Sequence, residues 1–191
     1  LRIRKAQTDL TSTYTIVQPS AFTDGTLTLA AGQSKSLRYT ITKTGTESGV
    51  MTLLARAETT TGVYVSDASG SVEVQPAEVV RVSRIAPSQP AVTVNDNSYE
   101  WKIFVLVENS GGSEVAVQFD STYTDLIQTP AILTLTRPTA LARSGANLQP
   151  GQSDTLIYTV RRTGVAAASV LTLDAKVGYR VVNTGDLKSI T

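Results

Sequence analysis

Ser34 and Ser153 hold the same place in two copies of a Gly-Gln-Ser turn, and a repeated serine is the first place to look for nucleophilic chemistry. A serine hydroxyl attacks only when a neighbouring base takes its proton. The 191-residue chain has no histidine and no cysteine, so only lysine or a carboxylate could serve. The residue that follows is Lys35 in one copy and Asp154 in the other, so no base is preserved and a structural turn is the favoured reading. The same two absences remove thiolate nucleophiles, disulfides and Cys or His metal ligands. The expectation is a protein that is not an enzyme, with no catalytic or cofactor-binding residues.

Oxygen ligands remain. Asn95, Asp96 and Asn97 form an oxygen-rich stretch that could hold calcium if Glu100 added a further ligand. Such clusters more often shape turns, because their side chains bond nearby backbone. Trp101 could stack on a sugar ring, but its place in an alternating apolar strand makes it an expected core anchor. A Lys to Asn isopeptide crosslink, which would need both groups buried beside an acid, has Lys102 and Asn109 as its candidates. Leu1-Arg2-Ile3-Arg4-Lys5 alternates as a strand with one wet face, and three cations alone hold no polyanion tightly.

Charge narrows the partners. The 17 Lys+Arg balance 16 Asp+Glu to a net charge of +1, which supplies no field for phosphate backbones, so no nucleic acid is expected. No apolar run approaches the roughly 18 residues that cross a bilayer, and no signal-peptide pattern opens the sequence. No membrane insertion is expected of this segment, and any targeting or anchoring segment would lie outside it.

The elements that must position these residues are strands. Threonine makes up about one residue in seven, alongside many Val, Leu, Ser and Gly, which is the usage of strands and hairpins. An internal repeat organises them. Ala31-Gly32-Gln33-Ser34-Lys35-Ser36-Leu37-Arg38-Tyr39-Thr40-Ile41 recurs as Pro150-Gly151-Gln152-Ser153-Asp154-Thr155-Leu156-Ile157-Tyr158-Thr159-Val160, at an offset of 119 residues. Val50-Met51-Thr52-Leu53 recurs as Val170-Leu171-Thr172-Leu173 at an offset of 120, with one residue added in a turn. At the first offset Leu1 falls opposite Asp120, and the segment from Pro87 to Phe119 has no counterpart in the first copy. Ser71 to Arg84 has none after Thr191. The first copy therefore reads as lacking N-terminal strands and the second as stopping short of its end, through truncation of a longer array or through strands supplied by a neighbouring subunit.

In the second copy strands are expected over Tyr99 to Glu108, Glu114 to Phe119, Ile132 to Arg137, Ser153 to Arg161 and Ser169 to Val177, with Asn109-Ser110-Gly111-Gly112 turning the first hairpin. In the first copy they are expected over Thr13 to Gln18, Lys35 to Thr42, Val50 to Glu58, Gly62 to Val65, Ser71 to Gln75 and Val79 to Ser83. Ile85 to Pro90, with two prolines, reads as a linker.

Asn109-Ser110-Gly111 after a strand, and Leu148-Gln149-Pro150-Gly151-Gln152-Ser153 opening a later one, resemble the turns of small immunoglobulin-like repeats of bacterial and archaeal surface proteins. These are the repeats described as cell-adhesion-related bacterial domains and conserved surface repeats. The first copy departs by having Ala31 in place of the proline. The resemblance implies an all-β fold of two consecutive immunoglobulin-like β-sandwich domains, over 1–84 and 91–191 with the linker at 85–90. It also implies a stalk, spacer, surface-layer or filament module on an extracellular cell surface or secreted appendage. Its partners would be neighbouring copies of the same protein. The alternatives are an adhesin that binds a host, matrix or sugar ligand and, more remotely, accessory domains of a secreted enzyme.

Overall fold

The structure is a computed structural model that describes residues 2–5, 14–17, 29–58, 64–90, 99–162 and 170–191. Those residues contain no helix, and every strand pairing is antiparallel. The chain divides into two compact units, Leu1–Pro76 and Ala77–Thr191.

The first unit carries β1 (Arg2–Lys5), β2 (Tyr14–Val17), β3 (Thr40–Lys43), β4 (Gly49–Glu58) and β5 (Tyr64–Val74). One sheet has the order β1-β4-β5 and a second pairs β2 with β3. The second unit carries β6 (Val80–Pro87), β7 (Glu100–Asn109), β8 (Val115–Gln118), β9 (Asp125–Thr129), β10 (Leu133–Thr136), β11 (Asn147–Leu148), β12 (Ser153–Arg162), β13 (Thr172–Val181) and β14 (Leu187–Ile190). Its sheets have the orders β10-β12-β7-β6 and β11-β8-β13-β14, with β9 also on β13.

Period-two alternation builds this second unit. Ile103, Val105 and Val107 of β7 and Leu156, Tyr158 and Val160 of β12 point inward from one sheet. Val115 and Val117 of β8 meet them from the other sheet with Ala175, Val177, Tyr179 and Val181 of β13, and all belong to one buried cluster. Each large apolar side chain so buried contributes about 1.5–3 kcal/mol. β8 and β9 lie on the same edge of β13, interrupted by 119–124. Gly178 permits that interruption, since a Cβ there would stand 2.5 Å from Cβ of Tyr123.

The repeat survives as hydrogen-bonded geometry. β2 pairs with β3 as Tyr14↔Lys43, Thr15↔Thr42, Ile16↔Ile41 and Val17↔Thr40, and β10 pairs with β12 as Leu133↔Arg162, Thr134↔Arg161, Leu135↔Val160 and Thr136↔Thr159, the same register displaced by 119. The turn before each second strand is also the same. Gly32 and Gly151 have φ of 79° and 76°. Gln33 N donates to Ala30 O at 3.1 Å as Gln152 N does to Gln149 O at 3.0 Å, and each glutamine Oε1 accepts from the backbone N of Ala30 or Gln149.

Several expectations change. β1 takes the place of β9: Arg2 lies opposite Arg56 as Asp125 lies opposite Lys176, so these strands correspond at an offset of 123 (125 less 2) and not 119, and Leu1 itself lies outside the described residues. Tyr64 and Val65 of the expected strand Gly62 to Val65, whose first two residues lie outside the described residues, and Ser71 to Val74 of the expected Ser71 to Gln75 fall within the single strand β5. Val80 to Ser83 of the strand expected in the first sandwich from Val79, and Ile85 to Pro87, expected in the linker, belong to β6, which pairs with β7 inside the second unit. The boundary between units accordingly falls at Pro76 and not at 85–90. A proline is tolerated at the end of an edge strand, where its missing N–H breaks no ladder bond, and β6 is such a strand. Residues 33–39 are not strand, although Lys35 to Thr42 was expected to be one.

Candidate functional site

Asn109, at the last residue of β7, is a polar residue of the second unit that is 0% exposed. The inward parity of β7 buries it, so its amide must find partners inside. Its Nδ2 donates to Ser113 O at 2.8 Å and Leu148 O at 3.1 Å, and its Oδ1 accepts from Gly111 N at 3.2 Å. Its backbone N donates to Gln152 O, and its O accepts from Gly151 N. The Asn-Ser-Gly turn and the Pro-Gly-Gln-Ser turn are therefore one junction, tied through a single side chain.

The same hairpin grips the chain where it enters the unit. Ser110 N donates to Val79 O at 2.8 Å and Gly112 N to Ala77 O at 3.1 Å. A Cβ on Gly111 would lie 2.2 Å from Val79 N, so only glycine lets the strands approach this closely. Glu78 is ion-paired with Lys188 of β14, which joins the entry segment to the last strand. Neighbouring Glu78 raises the Lys188 ammonium above its ordinary value through that hydrogen bond, against a smaller effect of burial.

Asp154 is the second buried anchor, with a side chain 2% exposed. Its Oδ2 accepts from Arg143 N, Ser144 N and Ser144 Oγ at 2.9, 2.7 and 2.8 Å, and its Oδ1 from Thr155 N at 2.7 Å. Burial pushes the carboxyl up, but these hydrogen bonds together outweigh it and hold the group below the usual carboxylate range. Tyr158 lies deeper still. Burial pushes its phenol far up, Asp125 adds to this and Arg137 opposes it. Those two residues form a two-pronged pair at 3.0 and 2.9 Å.

The residues singled out in the sequence are distributed as follows. Ser34 and Ser153 are exposed, and alternation turns the Asp154 carboxylate to the opposite face from Ser153. Asp96 and Asn97, the calcium candidates, lie outside the described residues with Asn95, while Glu100 is exposed at the start of β7, across from Arg161. Among the described residues no group of three or more acidic side chains is placed to hold a metal. Trp101 is half-buried, packs at the margin of the core and stacks on Tyr99 with ring centroids 6.3 Å apart. Tyr99 is 41% exposed and bonds Gln89 through its hydroxyl. Lys102 and Asn109 point to opposite faces of one strand, seven residues or roughly 23 Å apart, so no crosslink joins them. Arg2–Lys5 forms β1 as alternation suggested.

Asp154 escaped the sequence reading, although it shares the inward parity of Leu156, Tyr158 and Val160. Glu78 and Lys188 carry no such signal, since nothing local announces a partner so far along the chain. The chain matches no protein-family model, no curated protein and no solved structure.

Proposed function

We propose that the chain is a non-catalytic structural and assembly module of an extracellular surface protein, made of two consecutive immunoglobulin-like sandwich domains within a stalk, surface layer or filament. The observation that carries this reading is the repeat itself. Two units keep one strand register and one capped turn at a spacing of 119 residues, as expected of modules multiplied for length and not for chemistry. The bonded Asn109 junction fits the same purpose, because it consumes its polar groups internally and offers none to a substrate. The neighbours of each module are, on this reading, further copies of the same protein.

Antibodies raised against the purified chain and applied to intact source cells test the proposal. Labelling of the envelope or of an appendage is the expected result, and antigen found only after lysis overturns it. A second reading, a ligand-binding adhesin, draws on the exposed Tyr99 ring stacked on Trp101. Glycan-array binding that disappears in Tyr99→Ala would move the assignment to that reading.

A further inference from the structure

We draw no further inference here: the strongest candidate, the outward face of the sheet β10-β12-β7-β6, where Phe104, Leu106 and Ile157 form a half-buried apolar strip, carries nothing, because nothing among the described residues shows what covers it.

Discussion

The turn at Ala31 to Gln33 and the turn at Pro150 to Gln152 share a backbone, a left-handed glycine and a capping glutamine, yet they lead into different structures. After the second turn Ser153–Arg162 is a strand of 10 residues; after the first, residues 33–39 are irregular and strand begins only at Thr40. The side chains are closely similar, so propensity does not explain the difference. Partners do. β7 lies against Ser153 to Arg161 residue by residue, whereas the described part of the first unit supplies only β2, which reaches Thr40 to Lys43. A strand sequence is an offer of hydrogen bonds, and it becomes a strand where a neighbour accepts them.

This contrast can be broken at graded cost. The largest effect is expected from Gly111→Val, which forces a side chain into the backbone of Val79; the second unit should lose its cooperative melt, while the same change at Gly32, which faces open space, costs about 1–3 kcal/mol for its positive φ. Calorimetry that finds the two variants alike would contradict the difference in packing. Next comes the repeat pair Leu156 and Leu37. Leu156→Ala removes a fully buried side chain and should cost about 2–5 kcal/mol, whereas Leu37→Ala, at a half-buried position, should cost under about 1 kcal/mol in denaturant titrations.

Asn109→Ala deletes three side-chain hydrogen bonds and should destabilise the second unit by about 2–4 kcal/mol, with the first unit unchanged. The smallest effect concerns pH. The folded Asp154 carboxyl lies below its unfolded value, so its stabilisation is present above the ordinary carboxylate pKa of about 4 and is lost as pH falls through the folded value. Asp154→Asn should therefore flatten the acid limb of the second unit's stability curve, and Lys35→Ala at the matching position should leave the first unit's acid limb as it was.

Much of this was legible in the residues. Strict alternation from Trp101 to Val107 announced β7, and the glycine turn announced the hairpin into β8. The shared turn chemistry revealed the repeat before any geometry was known. β9 and β14 were not legible, because Asp125, Gln128 and Thr129, like Lys188 and Ser189, dilute the apolar signal at edge positions. β6 was divided between a strand and a linker because Pro87 reads as a breaker, although the end of an edge strand accommodates it. The Asn109 junction lay beyond local reading, since the sequence around position 109 carries no sign that Leu148, 39 residues on, arrives at its amide.

That last separation sets an order of events in time. The hairpin half of the junction, Asn109 to Ser113, spans four residues and can close at once, whereas the bond to Leu148 must await a long excursion of chain and the docking of β11 on β8. The Leu148 bond should therefore form late, as a latch on a nearly finished fold. Its removal should quicken unfolding far more than it slows folding, a partition that the two arms of a chevron plot separate. The junction's contribution would then be persistence, measured as the lifetime of the folded state.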